Sequence, residues 1–467
     1  MNNITRGIFS SIGLIYIFIL PVYIPIRALG IELHSYEKVL ISSLDLILYF
    51  TQITMLLACN SILLSMIFEF LNKKLFDNEF LILSWYRVIA VVYACIFIAT
   101  SYFVLSPQSI CQLYGWSGAH YFIISFFQLL IRSEINHSKS NNLPVVQANN
   151  YFGLVLNISG VISLAIFSWI YSSGYAEYYS TYCICLELFF FIYLLVIRKY
   201  YVSFGYIVHE YPNKNIITYL SMSVVALILA SGLSILFMLS GCIGAILILA
   251  FIGYLFSRLS NDVDRGDLHL IVNVGLGYGL LLAALTASVL AYFVKSYSNN
   301  MDLFNYAYSS EPFFSIIIGF VFTWFLLKKN IEFSTNGLSN SIFLLNCSVP
   351  AILGVFWFAY VMNTYLLQML FLVFGAYAYL EYLSLFYVRQ IAQRDGYKEF
   401  HGAKLTNFNA IVLNGLSPAL LYLLIYTLSK LTELEINQLL ITAITTLTLL
   451  SITLNFGQKY LMKYENK

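Results

Sequence analysis

The chain has 467 residues, of which 60% are hydrophobic and only 10% charged, against roughly 25% charged in an ordinary soluble domain. A soluble fold of this composition would leave large apolar patches in water, and a net charge of +2 argues against a nucleic-acid partner. The hydrophobic residues arrive in runs of about 20, enough to cross a hydrocarbon layer of roughly 30 Å. The expectation is therefore an all-α polytopic membrane protein whose constant partner is the lipid bilayer.

In chain order the apolar runs predict fourteen spans, over 8–27, 39–68, 84–105, 113–131, 151–172, 177–197, 216–238, 241–257, 269–294, 312–327, 341–361, 365–388, 408–428 and 437–456. The first has only Arg6 ahead of it, no small-residue cleavage site behind, and Pro21 and Pro25 within it, so it reads as a retained helix rather than a leader. The second is long enough to tilt or kink. The seventh and eighth nearly merge, parted only by a turn at Gly241.

Basic residues gather in cytoplasmic loops, which orients these spans. With the N-terminus inside, 19 of the 24 basic residues fall on inner segments, from Arg6, Lys73 and Lys74 through Arg258 and Arg265 to Lys459, Lys463 and Lys467. Outer segments hold only Arg27, Lys38, Lys295 and Lys430, and Arg87 lies near the inner end of the third span. A miscounted middle span would invert the parity, so both termini are expected inside a bacterial inner membrane. Every loop is short, and no soluble domain fits. The 38 Tyr and 38 Phe suit interfacial belts and cavity walls.

Spans 1–6 and 7–12 share a rhythm. Each half has a polar inner loop after its second span (Asn72-Lys73-Lys74 with Asp77-Asn78-Glu79; Asn261-Asp262 with Asp264-Arg265-Gly266-Asp267). Each half also ends in a span with one acid before a basic stop, Glu187 before Arg198-Lys199 and Glu381 before Arg389. Like-oriented six-helix repeats with a path between them suit a secondary transporter. The expected organisation is a six-helix lobe over 1–200, an inter-lobe loop over 201–215, a second lobe over 216–390, and two additional helices with a tail over 391–467.

With these landmarks the chain resembles the superfamily of multidrug and toxic-compound extrusion (MATE) transporters and polysaccharide and lipid II flippases. The stretch Pro21-Val-Tyr-Ile-Pro-Ile-Arg-Ala-Leu-Gly30 is similar to the segment closing the first helix of oligosaccharide flippases, and Asn261 to Asp267 to the loop before their ninth helix. No acid lies within 8–26, unlike many ion-coupled exporters of that group, and two helices follow the second repeat, so the flippase branch is favoured. The resemblance implies transport of a lipid-linked oligosaccharide. An Arg in the first helix of the lipid II flippase contacts substrate, which implies a phosphate-binding role for Arg27.

Charge within a bilayer costs roughly 2.5–3.5 kcal/mol per residue on insertion scales, so Asp45, Glu187 and Glu381 are the candidates for coupling transport to H+ or Na+. Arg27 and Arg87 offer guanidinium forks to a substrate phosphate, or snorkel to headgroups. Gln52, Asn60, Asn157, Asn273 and Asn346, with Gln128 and Gln368, are candidates for lining a polar cavity, or bond between helices instead. Gly275, Gly277 and Gly279 follow no strand and point to close helix packing rather than nucleotide binding. No catalytic residue, cofactor or metal site is expected, and the seven cysteines read as small apolar filler. The leading reading is a flippase. The alternatives are an H+- or Na+-coupled exporter of drugs or small metabolites, and a membrane-embedded polysaccharide polymerase or glycosyltransferase, which would want a larger outer loop than the one at Lys295 to Glu311.

Overall fold

The computed structural model describes residues 216–261, 263–277 and 399–465, together with the helical positions Leu44, Leu48, Thr51, Gln52, Met55, Leu56, Ala58, Cys59, Ile62 and Cys185. Four helices are defined from end to end: α1 (Ile216–Leu239), α2 (Gly241–Leu259), α3 (Glu399–Leu431) and α4 (Ile436–Glu465). They fall on the seventh, eighth, thirteenth and fourteenth expected spans. Residues 265–277 are helical on the ninth, and the helical positions between 44 and 62 on the second. The count of fourteen spans and the orientation of the termini rest on residues outside this set.

The chain divides into two compact units, one of 1–40 and 60–239, the other of 41–59 and 240–467. In the first, α1 buries Ala230, Ser234 and Phe237 and exposes Val224, Val225, Ile228 and Leu229. α1 ends before Ser240, whose φ of −138° and ψ of 75° are non-helical and whose side chain makes no capping bond. α2 begins at the next residue, its first bond running from the Gly244 N–H to the Ser240 carbonyl at 3.2 Å.

In the second unit α2 buries Gly241, Gly244, Ala245, Ile248, Ile252 and Leu259. That three-to-four spacing is one face of a helix. Its other face is also apolar, with Ile243, Ile246 and Leu247 exposed. A helix that is apolar inside and out belongs in lipid, and α2 and the Phe408–Leu431 part of α3 are both long and apolar enough to span. Past α2, Asp264 caps the helical stretch 265–277. Its Oδ1 accepts from the Gly266 N–H at 3.1 Å, and its carbonyl from the Leu268 N–H at 3.1 Å.

Among the described residues of this unit, the others pack around α3. From Phe408 to Ala419 every residue except half-buried Asn414 is buried. A Cβ on Gly241 would collide with Tyr422, and one on Gly415 would lie 2.8 Å from Ile248, so α2 runs antiparallel to α3. The positions between 44 and 59 do the same, Gln52 meeting Tyr422 and Ala58 meeting Gly415. Gly275 meets Val412. On the remaining side Leu421 and Ile425 pack with Leu440, Ala443, Ile444 and Leu447 of α4, and Leu44 and Leu48 close over that cluster. Bare glycines at three of these crossings let backbones approach closely, the usual device where apolar burial gives helices no reason to associate.

Residues 432–435 join α3 to α4. The Gln438 Oε1 accepts from the Glu435 N–H at 3.3 Å, one arm of a capping box. α4 carries hydroxyls on its exposed side, and these turn back onto its own carbonyls: Thr442 donates to Gln438 and Thr446 to Thr442, each at 2.7 Å. Those hydroxyls can therefore face hydrocarbon without an unpaired donor.

Candidate functional site

Polar groups inside the second unit gather along α3. The Gln52 amide donates to the Tyr422 hydroxyl at 3.5 Å, over the bare backbone of Gly241. The Tyr422 ring lies nearly parallel to that of Tyr426, with centroids 6.2 Å apart and planes at 8°. The Lys430 ammonium sits 5.8 Å from the Tyr426 centroid, within cation–π range. These residues recur every fourth position, so they form one ladder on α3 from a buried ring to an exposed cation.

A second group lies two turns away. The Ser417 hydroxyl donates to the Leu276 carbonyl at 2.8 Å and approaches that of Gly275 at 3.4 Å, tying α3 to the stretch 265–277. That stretch buries Asp267 and Asn273 at 2% exposure each, and α3 buries Asn409 completely. Asn414 donates from Nδ2 to the Ala410 carbonyl at 2.9 Å. Thr448 and Ser451 supply buried hydroxyls from α4. Buried polar groups of this kind are costly in a bilayer unless each is bonded.

Among the expected site residues, Gln52 and Asn273 fall in this region, Gln52 half-buried and Asn273 buried. Asp45, Glu187, Glu381, Arg27, Arg87, Asn60, Asn157 and Asn346 lie outside the described residues. Tyr422, Ser417, Asn414 and Asn409 were not expected at all. One tyrosine among 38 carries no local mark, and only tertiary contact singles it out. Asn409 and Asn414 did carry a mark, being amides in an apolar run like those selected elsewhere. Among the described residues no group of His, Cys, Asp or Glu suits a metal ion, and Cys59, Cys185 and Cys242 are free thiols.

By sequence the chain matches no protein-family profile and no curated protein. By structure it matches transporters along its whole length. A bacterial homologue of the human drug peptide transporters superposes with a TM-score of 0.65 at 11% identity, over 100% of this chain and 99% of that one. A POT family transporter solved with 5-aminolevulinic acid gives 0.64 at 14% identity, over 99% and 97%. A human organic anion transporter gives 0.53 at 12% identity, over 97% and 100%.

The chain shares its fold with these solved POT family transporters, the major facilitator fold. It is an all-helical, multi-pass membrane fold, and the solved structures that share it here are transporters, not enzymes. The resemblance to MATE transporters and flippases is thereby corrected, and a lipid-linked sugar is dropped as the implied substrate. The landmarks behind that resemblance have a general cause. Basic inner loops follow from the positive-inside bias, and rare membrane acids from the cost of burying charge. Both rules act on any polytopic chain, whichever way its helices pack. The major facilitator fold meets them as well as the MATE fold does, so short polar loops could not separate the two.

Proposed function

We propose that this chain moves a small organic solute across a bacterial inner membrane by alternating access, driven by a proton or sodium gradient. The observation that carries the reading is the match of the entire chain to POT family structures. Their described solutes, peptides and 5-aminolevulinic acid, are small and carry both charges, and the organic anion transporter extends the range to anions. Neutral polar groups along α3 and beside it, among them Gln52, Tyr422 and Asn414, are of the kind that hydrogen-bond to such solutes. Asp45, Glu187 and Glu381 are proposed as the groups that exchange the coupling ion, because a carboxylate within the membrane can take up a proton or ligate a cation. The basic bias of alternate loops supports cytoplasmic termini.

The test is uptake in intact cells. A bacterial strain lacking its own peptide transporters, expressing this chain, is expected to accumulate radiolabelled dialanine, 5-aminolevulinic acid or an organic anion above the vector control. Carbonyl cyanide protonophore or sodium removal should abolish that gain. Uptake equal to the control for all three solutes would contradict the reading.

A further inference from the structure

The exposed side of α2 carries Ile243, Leu247 and Tyr254, each about half exposed, with exposed Ala250 between them. By helical spacing these positions and Arg258 lie in one stripe. From Ile243 to Tyr254 the stripe runs about 16 Å at roughly 1.5 Å per residue. That is close to the depth of one leaflet in a hydrocarbon layer of roughly 30 Å. Gly253 is exposed beside the stripe, and a Cβ there would meet nothing within 4 Å, so a shallow recess borders the Tyr254 ring.

The polar end of the stripe is held in place. Arg258 stands in the last turn of α2, and its Nη1 donates to the Tyr254 hydroxyl at 3.2 Å. The Phe251 ring lies 5.8 Å from that of Tyr254, with planes at 43°. Bonding to a residue one turn earlier holds the guanidinium back along the helix, toward its apolar part. A snorkelling arginine would instead extend past the helix end to water. The Tyr254 oxygen accepts from Arg258, so its own O–H is left to donate. A guanidinium carries five N–H donors, more than one tyrosine oxygen can use. Two donors, one of them charged, therefore meet at the end of an apolar stripe. Their complement is an anion with several acceptor oxygens, joined to an apolar chain that follows the stripe.

We infer that Tyr254 and Arg258 hold the phosphate of an anionic phospholipid, whose acyl chain lies along Ile243, Leu247 and Ala250. Charge complementarity selects the headgroup, and the length of the stripe selects a lipid over a free phosphate. The site is built on α2 alone and does not depend on what the protein transports.

The test is native mass spectrometry of the purified full chain in neutral detergent. Phosphatidylglycerol and phosphatidylcholine with the same acyl chains are added in equal amounts. The wild-type protein is expected to carry phosphatidylglycerol severalfold more than phosphatidylcholine, as a charge-assisted contact to an anionic headgroup requires. Arg258→Gln should remove most of that preference and leave phosphatidylcholine adducts unchanged. Tyr254→Phe keeps the ring and should lower the preference less. Melting without added lipid checks that each variant is folded, and Tyr254→Phe keeps the test decisive if Arg258→Gln is not. An excess of glycerol phosphate, which has the headgroup chemistry but no acyl chain, should not displace the lipid. The inference is overturned if the wild-type protein shows no preference, or if either variant keeps the full preference. Equal loss in Arg265→Gln, which would mark a general charge effect, or displacement by glycerol phosphate would overturn it too.

Discussion

Gly415 of α3 lies so close to Ala58 that a Cβ placed on the glycine would come within 2.7 Å of the alanine Cβ. That crossing holds the 44–59 positions and α2 against one side of α3. Substituting Gly415→Leu forces the helices apart, a change that costs about 1–3 kcal/mol in a well-packed interior. The expected result is a lower Tm and a smaller monodisperse fraction in fluorescence-detected chromatography. Gly232→Ala and Gly253→Ala meet nothing within 4 Å and should be neutral or stabilising by up to about 1 kcal/mol, from helix propensity alone. Equal losses at all three glycines would mean that the crossing is not tight.

The Gln52–Tyr422 bond is long at 3.5 Å, and interhelical hydrogen bonds in membranes average about 0.6 kcal/mol. A double-mutant cycle of Gln52→Leu and Tyr422→Phe should therefore give a coupling below about 1 kcal/mol. Tyr422→Phe keeps the ring beside Tyr426, so it should be milder than Tyr422→Ala. Reversible unfolding in mixed micelles provides the measurement, and a coupling above about 2 kcal/mol would call for a stronger contact than this geometry contains.

α2 separates lipid from core within one residue. Leu247 is 48% exposed and Ile248 fully buried. A nitroxide placed at Leu247 should collide freely with oxygen and little with a water-soluble nickel chelate, the signature of lipid. At Ile248 it should be shielded from both. High nickel accessibility at Leu247 would show water where the bilayer is expected.

For the described helices, positions were legible in the sequence, because hydrocarbon thickness acts on every span alike. Spans expected at 216–238 and 241–257 are found at Ile216–Leu239 and Gly241–Leu259, with the break at Ser240, one residue before the turn expected at Gly241. The later pair was drawn too short. Spans expected at 408–428 and 437–456 are the apolar parts of Glu399–Leu431 and Ile436–Glu465. The backbone hydrogen bonds of a helix continue into polar sequence, whereas a hydropathy window stops there.

Packing was far less legible. Among the described residues α3 meets α2, α4 and the stretch 265–277, and nothing in its sequence marks it for those contacts. Nothing in an apolar run says which of its faces meet protein and which meet lipid, because both are apolar. Gln52 was selected as a polar residue in such a run. Its partner Tyr422 was not, because a tyrosine raises no alarm in a membrane helix.

The most direct test of the account is solute flux in proteoliposomes containing only this protein. With an imposed inward proton or sodium gradient, radiolabelled dialanine, 5-aminolevulinic acid or an organic anion should accumulate above its external concentration. Collapsing the gradient with ionophore should reduce that to equilibration. The account predicts such gradient-driven accumulation for at least one of these solutes. Flux no greater than in protein-free liposomes, under both gradients and for all three, would contradict it.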